Sequence, residues 1–285
     1  MPEFFYHQNI PANLETMRLT QIVPKLPPEI DGVGDYALNL ACQLRQDFGI
    51  ESNFAIGDRE WMGETSIAGF SIGKLTDRSV NELLSILPVA SQTPAIVLLH
   101  YVGYGYALRG CPFWLVRGLE RWKTKNPHLR LLTMFHEVYS FGRPPWTSAF
   151  WLSPLQKSLA ARLAQLSDAC LTSKQGYAKI LYHLSAGKHA SIPTLPVFSN
   201  IGEPRSVPPL TERQRHLIVF GSPSNRWRVY QESSAELSLA CQQLEIEQIC
   251  DIGSSTGLAL TDINGVPVVE MGRLPAREIS QILLK

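Results

Sequence analysis

Two histidines that close apolar runs are the strongest candidates for chemistry in this sequence. His100 ends the run AIVLLH, and His136 follows RLLTMF with Glu137 directly after it. An imidazole with a pKa near neutrality can donate a hydrogen bond to a substrate oxygen or exchange a proton. We therefore expect His136 and Glu137 to be catalytic, while a histidine bonded to a backbone carbonyl is the structural alternative. Ser140 stands where an H-E-x-x-H motif needs its second histidine, so a zinc site is not expected.

A loop with two glycines follows the first apolar run, LTQIV. It reads Asp31-Gly32-Val33-Gly34-Asp35 and precedes a stretch with leucines at helical spacing. Glycine lets the backbone approach phosphate or sugar oxygens, and a helix N-terminus favours an anion. We therefore expect Gly32, Gly34 and Asp35 to lie against the phosphates of a ligand. The loop lacks the third glycine of a dinucleotide fingerprint and the lysine of a P-loop, so a tight turn capped by Asp31 or Asp35 is the alternative.

A second candidate ligand loop lies in the last third of the chain. Gly221 and Ser222 follow the apolar run HLIVF, and two arginines, Arg226 and Arg228, come shortly after them. Guanidinium groups match the geometry of phosphate oxygens, so this loop is expected to hold a diphosphate. A solvated loop of arginines is the alternative.

Two aromatic-rich stretches, 101–114 and 139–151, follow the strand-end histidines. Long loops with their own aromatic residues are commonly lids or acceptor platforms. We expect Tyr101 and Tyr139, together with His100, to lie on the acceptor side of a site. Aromatic faces suit sugar C–H surfaces and apolar acceptors alike. A peripheral contact with a membrane or a partner protein, and a plain packed loop, are the alternatives.

The elements that position these residues alternate between strand and helix. Strands are predicted at 19–23, 53–56, 95–100, 130–135, 169–172, 216–220, 248–252 and 266–270, and helices at 36–46, 80–87, 113–123, 155–166, 176–184, 231–244 and 275–285. Nearly all-apolar strands that alternate with helices predict parallel sheets covered on both faces.

A polar, proline-rich segment at 200–213 predicts a linker between two domains, 1–203 and 204–285. The length of 285 residues allows each domain its own core. The second domain has three predicted strands at most and stops in mid-pattern. We therefore expect it to be incomplete and the chain to be a fragment of a longer protein.

Composition excludes several classes of protein. The chain has 26 Lys and Arg against 25 Asp and Glu and no basic run, so nucleic acid is not an expected partner. The first residues lack the pattern of a secretory signal, and no apolar run is long enough to span a membrane. The five cysteines are scattered and are expected to be buried, reduced thiols. Together these features predict a cytoplasmic protein.

In their order along the chain, the motifs resemble the group 1 (family 4) glycosyltransferases of the GT-B fold. The motifs are D-G-V-G-D-Y-A after the first strand, F-H-E after a later strand, and F-G-S-x-x-x-R-x-R at the start of the second domain. The resemblance spans nearly all of the chain as a string of short motifs. It implies an α/β chain with two Rossmann-like domains, the second one incomplete.

The resemblance also implies an activity. A sugar would pass, with retention, from a nucleotide-sugar donor to a carbohydrate, lipid or small-molecule acceptor, without a metal or other cofactor. His136 would contact the donor sugar, the glycine loop would lie near the donor phosphates and the acceptor, and the arginine loop would hold the diphosphate. Fixed positive charge on the departing diphosphate would supply most of the rate, so no protein nucleophile is required.

Two departures from the family pattern bear on this expectation. Ser222 stands where the family usually has a basic residue, so Arg226 and Arg228 would have to substitute for it. The family's two glutamates, eight positions apart, would lie beyond Lys285. The alternatives are a nucleotide-sugar epimerase of the same architecture and a non-catalytic module that binds a sugar nucleotide or a partner.

Overall fold

A computed structural model describes residues 17–29, 31–89, 95–142, 144–202, 204 and 206–285. The protein is mixed α/β and divides into two compact units between Phe198 and Ser199. The predicted domain boundary lies a few residues further on, after residue 203.

The first unit contains β1 (Arg18–Val23), α1 (Gly32–Phe48), β2 (Glu51–Ile56), β3 (Ser66–Ile67), β4 (Phe70–Lys74), α2 (Val80–Ile86), β5 (Ala95–Tyr101), α3 (Gly103–Tyr106), α4 (Phe113–Lys125), β6 (Arg130–Phe135), α5 (Ser148–Leu166), β7 (Ala169–Thr172) and α6 (Gln175–Leu184). The second contains β8 (His216–Phe220), α7 (Pro223–Glu232), α8 (Ser234–Gln243), β9 (Gln248–Ile252), β10 (Asp262–Ile263), β11 (Val266–Gly272) and α9 (Ala276–Ile282).

The seven strands of the first unit form one mostly parallel sheet in the order β3-β4-β2-β1-β5-β6-β7. Only the two-residue strand β3 pairs antiparallel, with β4. Without β3, the order is that of doubly wound nucleotide-binding sheets, 3-2-1-4-5-6. The order reverses between β1 and β5, and ligands of such sheets bind beyond the carboxyl ends of the strands at this reversal.

The central strands are apolar because helices cover both faces of the sheet. Ile22 of β1 and Leu99 of β5 are fully buried, and so is Leu131 of β6. The polar side chains that lie in this core include Gln21 in β1 and His100 in β5, and both are fully buried as well. A buried polar group lowers stability unless it is hydrogen-bonded, so these two residues are candidates for a functional role in addition to packing.

The second unit has a four-stranded sheet in the order β10-β11-β9-β8. Strands β8, β9 and β11 are parallel, and the short β10 pairs antiparallel with β11. The expectation of three strands at most was therefore wrong by this one short strand. The core of the unit includes Tyr230, Leu237 and Ile249.

Helix boundaries differ from the sequence-based prediction where capping residues decide them. Helix α1 begins at Gly32 because the Asp31 side chain accepts a hydrogen bond from the Val33 N–H. Helix α5 begins at Ser148, since Thr147 caps it, and Pro154 lies inside it. The predicted helix at 231–244 is replaced by α7 and α8, which meet at Ser233.

The strands β3 and β4 were not predicted. They form a hairpin whose turn residues, Ala68 and Gly69, have φ angles of 50° and 79°. Positive φ at both central residues suits the right-handed twist of a two-residue hairpin. The two strands are short, and β4 alternates buried and exposed residues, so neither forms an apolar run.

The cysteines differ in part from the expectation that all are buried. All five are free thiols; Cys170, Cys241 and Cys250 are buried, Cys111 is half-buried and Cys42 is exposed. Within the described residues, none of the helices is both long enough and apolar enough to cross a lipid bilayer.

Candidate functional site

The structure brings the two strand-end histidines together at the carboxyl edge of the first sheet. His100 lies near the end of β5, and His136 directly follows β6. Their rings are stacked with centroids 5.4 Å apart, and Nδ1 of His100 lies 3.1 Å from Nε2 of His136. Strand alternation explains the meeting, since His100 and His136 extend the same face as Leu98 and Met134.

A chain of hydrogen bonds continues from this pair into the sheet. Nε2 of His100 donates to Oε1 of Gln21 at 2.8 Å, and Nε2 of Gln21 donates to Oγ of Ser52 at 3.1 Å. With the Gln21 amide oriented this way, Nδ1 of His100 is an acceptor and His136 donates to it through Nε2. The lone pair of a neutral His136 is then on Nδ1. The pair is thus held by two further strand residues, Gln21 on β1 and Ser52 on β2.

Burial keeps both imidazoles neutral at neutral pH. It lowers the pKa of His136 to about 4, and it lowers the pKa of His100 well below the ordinary value, with a further contribution from His136. The sequence-based expectation was a histidine that titrates near neutrality. The structure differs because the charged form is disfavoured where water is excluded. A neutral His136 can accept a hydrogen bond at Nδ1 from a ligand hydroxyl.

Tyr36 packs against the histidine pair and Phe198 stacks on Tyr36, and neither was predicted as part of a site. The ring of Tyr36, on α1, meets His136 edge-on at 5.1 Å and stacks on Phe198 at 4.4 Å. Tyr36 is buried, and burial raises the pKa of its phenol, so it stays neutral. Tyr36 occupies the sixth position of D-G-V-G-D-Y-A, which is the only sequence signal that links it to the site.

Glu137 occupies a different environment from its neighbour. The backbone N–H groups of His136 and Glu137 both donate to the carbonyl of Tyr101, at 3.0 and 3.4 Å. This shared acceptor ties the end of β6 to the end of β5. The Glu137 side chain is exposed, whereas the His136 side chain is half-buried. The predicted catalytic pair is therefore one partly enclosed imidazole and one solvated carboxylate.

The glycine loop has a packing role. Gly32 and Gly34 lie in the first turn of α1, and a Cβ on Gly34 would lie 2.1 Å from the carbonyl oxygen of Lys25. The helix therefore rests directly on the loop that follows β1. Two carboxyl groups lie at this helix start, since Asp31 caps the helix and Asp35 is in its first turn. A phosphate bound by Gly32, Gly34 and Asp35, as predicted, would lie close to both of them.

A charged cluster at the same edge of the sheet was not predicted. Asp58, after β2, pairs with Lys25 at 3.2 Å and with Arg78 at 3.4 Å. Burial raises the pKa of Asp58, but the Glu60 N–H, Lys25 and Arg78 outweigh that effect, so the pKa lies below its ordinary value. The cluster joins the ends of β1 and β2. Its only signal in the sequence is a carboxylate directly after the run FAIG.

Gln156 of α5, which was also not predicted, joins the two aromatic-rich stretches 101–114 and 139–151. Its amide donates to Oη of Tyr104 at 3.2 Å and to the carbonyl of Arg109 at 2.9 Å, and accepts from the Ser140 N–H at 2.9 Å. Tyr101 is fully buried beside a small cavity that Tyr139 and Gln156 also line. The Tyr101 hydroxyl has no hydrogen-bond partner among the described residues.

The arginine loop of the second unit is arranged differently from the prediction. Arg226 is only 1% exposed, and its guanidinium donates to Oδ2 of Asp251 at 2.5 Å and to the carbonyl of Gly221 at 3.2 Å. Tyr230 donates to the other oxygen of Asp251 at 2.9 Å. Arg226 therefore shapes the loop from inside, whereas Arg228 is exposed.

Gly221 and Ser222 belong to the start of α7. The Ser222 side chain accepts from the Asn225 N–H at 3.4 Å, and Pro223 occupies the first helical position. Gly221 has a φ of 139°, a conformation that side chains rarely adopt. Both residues are thus explained by the turn between β8 and α7.

Within the described residues, no group of three or more His, Cys, Asp or Glu side chains is placed to hold a metal ion. No protein-family model matches the chain, and no curated protein matches it either.

Proposed function

We propose that the chain is a metal-independent glycosyltransferase of the GT-B type that moves a sugar, with retention, from a nucleotide-sugar donor to an acceptor. The observation that carries this proposal is the neutral pair His100–His136 at the reversal point of a doubly wound sheet. Two things support the proposal. The pair lies where doubly wound sheets bind nucleotide ligands, and the order of the motifs along the chain is that of the family it resembles. A fold of this kind hosts many reactions, so the residues of the site carry the argument.

In this proposal His136 orients the donor sugar. Its Nδ1 accepts a hydrogen bond from a sugar hydroxyl, because Nε2–H is engaged with His100. Gln21 and His100 act as positioning residues that fix the tautomer and the ring plane of His136. The departing diphosphate is stabilised by fixed positive charge, for which Arg228 is the exposed arginine of the second loop. No protein nucleophile takes part.

The test combines ligand binding with turnover of the full chain. UDP, GDP and ADP are titrated by thermal shift and calorimetry, with and without magnesium, and stabilisation by one of them without magnesium supports the proposal. Release of that nucleotide from its sugar is then measured. We expect His136→Ala to lower turnover at least tenfold without loss of the fold, whereas His128→Ala, on an exposed histidine, leaves it unchanged. Equal turnover in both variants would remove His136 from the site.

A second candidate is a non-catalytic binding module. It is favoured by one specific observation, namely that both predicted phosphate loops are engaged internally, by Asp31 at the start of α1 and by the Arg226–Asp251 pair. This candidate predicts no stabilisation by any of the three nucleotides and no release of nucleotide. The same titration therefore separates the two functions.

A further inference from the structure

Aromatic rings line a hollow of about 430 Å³ beyond the end of β6. The rings belong to Phe141, Phe150 and Trp151, and the other lining residues are Ser140, Gly142, Ser153 and Pro154. Trp151 is 71% exposed. Ligand pockets of proteins start at about 300 Å³ and are mostly lined by apolar and aromatic groups.

The frame that holds these rings is fixed by hydrogen bonds. The indole N–H of Trp151 donates to the carbonyl of Pro145 at 2.8 Å, and the hydroxyl of Thr147 donates to the carbonyl of Pro144 at 2.7 Å. The hydroxyl of Ser153 donates to the carbonyl of Ser140. Exposed rings on such an anchored frame are preorganised, so a ligand that covers them need not order the loop.

The polar groups of the hollow are used by the frame itself. Ser140 donates through its N–H to Gln156 and through its hydroxyl to Oη of Tyr104, and the indole N–H of Trp151 is bonded to Pro145. The surface that remains accessible to a ligand is mainly apolar and belongs to the aromatic rings and Pro154. A sugar ring requires several hydrogen-bond partners to replace water, whereas an aliphatic chain requires none. The hollow therefore favours an aliphatic chain.

The hollow adjoins the candidate active site. Ser140 lines both the hollow and the small cavity beside Tyr101, and Glu137 lines that cavity too. Glu137 directly follows His136 in the chain. Tyr101 lines this cavity too, but it is fully buried and the cavity has a volume of only about 10 Å³. Its hydroxyl, which has no partner among the described residues, is therefore within reach of a single water molecule and not of a larger ligand group.

We propose that this hollow binds the aliphatic chain of the acceptor, and that the hydroxylated head of the same molecule lies toward the exposed Glu137. The acceptor class is therefore an alcohol or sugar that carries an alkyl, acyl or prenyl chain. The acceptor role rests on the proposed function, whereas binding of the chain in the hollow is a separate property of these residues.

The test uses n-octyl β-D-glucoside below its critical micelle concentration, with methyl β-D-glucoside as the probe that has the same head and no chain. Binding to the full protein is measured by tryptophan fluorescence and calorimetry. We expect the octyl compound to bind and the methyl compound not to. Across hexyl, heptyl and octyl chains, affinity should rise up to about fourfold per methylene until the hollow is filled.

Two tryptophans provide the matched variants. Trp151→Ala should weaken octyl glucoside binding at least tenfold, whereas Trp146→Ala, on an 84% exposed residue that does not line the hollow, should leave it within twofold. Circular dichroism and thermal melts establish that both variants are folded. Phe150→Leu serves as a milder second variant that keeps an apolar side chain, and a loss of about threefold to tenfold is expected.

Two outcomes would overturn the proposal. Equal binding of methyl and octyl glucoside would make the hollow a sugar platform. Binding to phosphatidylcholine vesicles alone, with equal loss in the Trp146 and Trp151 variants, would make the aromatic residues a general membrane surface. The glucoside binding measurements contain no nucleotide-sugar donor, so their result does not depend on the result of the nucleotide titration. Chain binding without any nucleotide effect would overturn the transferase function and keep the hollow as a lipid site.

Discussion

Nδ1 of His100 and Nε2 of His136 lie 3.1 Å apart, and this bond makes each imidazole the partner that decides the tautomer of the other. The Nε2–H of His100 is committed to Gln21, so its Nδ1 can only accept. Protonation of His100 would place a second proton between the two rings unless His136 changed tautomer. The buried amide of Gln21 thus determines, through His100, which nitrogen of His136 is open to a ligand.

The first prediction concerns the pH dependence of stability. Native His136 stays neutral down to about pH 4, whereas the unfolded chain binds a proton on this residue below about pH 6.5. Between these values the unfolded state holds more protons, so the free energy of unfolding falls as the pH falls. The expected slope is roughly 1.4 kcal/mol per pH unit for one histidine.

Urea unfolding between pH 4.5 and 7 measures this slope. His136→Gln should reduce the slope of the free energy of unfolding against pH, and the remaining slope should be the contribution of His100. Proton NMR of the imidazole rings provides the direct check, since neither ring should titrate between pH 5 and 8 in the folded protein. A midpoint near 6.5 for His136 would contradict the burial argument.

The second prediction concerns Gln21. In Gln21→Met the shape is nearly kept, but the buried Nε2–H of His100 loses its acceptor. An unsatisfied buried donor costs about 1–3 kcal/mol, so the free energy of unfolding should fall by that amount. Nitrogen-15 NMR should also show that His100 no longer holds its proton on Nε2 alone.

Gln43 provides the matched control for Gln21. It lies on the exposed face of α1, where its amide donates to Asp47 at 2.6 Å. Gln43→Met should change the free energy of unfolding by less than about 0.5 kcal/mol. Equal effects of the two substitutions would mean that the Gln21–His100 bond does not matter to the fold.

The parallel sheet could be predicted from the sequence because its strands are short, nearly continuous apolar runs. The meeting of His100 and His136 followed from the same pattern, since parallel strands end at one edge of the sheet. Gln21 carried a usable signal as well, because a glutamine inside LTQIV has no place in a covered strand unless another polar group meets it.

Other parts of the site depend on pairings that no local pattern reveals. Tyr36 and Phe198 stack on each other although they are far apart in the chain. Arg226 was predicted as a phosphate ligand because it follows the end of a strand and a guanidinium group matches phosphate oxygens, but its partner is Asp251 of the next strand, β9. Whether an arginine faces a ligand or a carboxylate is decided by such packing, which the residue type leaves open.

The third prediction concerns Gly34. Because a Cβ would lie 2.1 Å from the Lys25 carbonyl oxygen, Gly34→Ala forces α1 away from the loop after β1. The free energy of unfolding should fall by about 1–3 kcal/mol, the usual cost of an overpacked site. Gly176→Ala is the control, since that glycine also lies in a first helical turn but has nothing within 4 Å. The control should be neutral or slightly stabilising.

The outcome at Gly34 also decides between its two roles. A glycine kept for ligand approach would tolerate alanine in the free protein and show the loss only in ligand affinity. A glycine kept for packing shows the loss in unfolding without any ligand. We expect the second result, and an unchanged unfolding midpoint in urea for Gly34→Ala would be evidence for the first.

The fourth prediction separates the two arginines of the second unit. Arg226→Met leaves Asp251 as a buried carboxylate without its cation, and removal of one partner from a buried pair costs about 3–5 kcal/mol. Arg228→Met removes an exposed guanidinium and should change stability by less than about 0.5 kcal/mol. Chemical denaturation of the full chain compares the two variants. The fluorescence of Trp227, which lies in the second unit, reports the unfolding of that unit.

Arg228→Met, which should hardly change stability, is instead the substitution expected to change nucleotide affinity. If the loop holds a diphosphate, Arg228→Met weakens binding of the stabilising nucleotide severalfold in a protein that is otherwise intact. The same substitution should leave octyl glucoside binding unchanged, because Arg228 does not line the aromatic hollow. An Arg228 variant with unaltered nucleotide affinity would leave the donor diphosphate without an arginine ligand from this loop, since Arg226 is already engaged by Asp251.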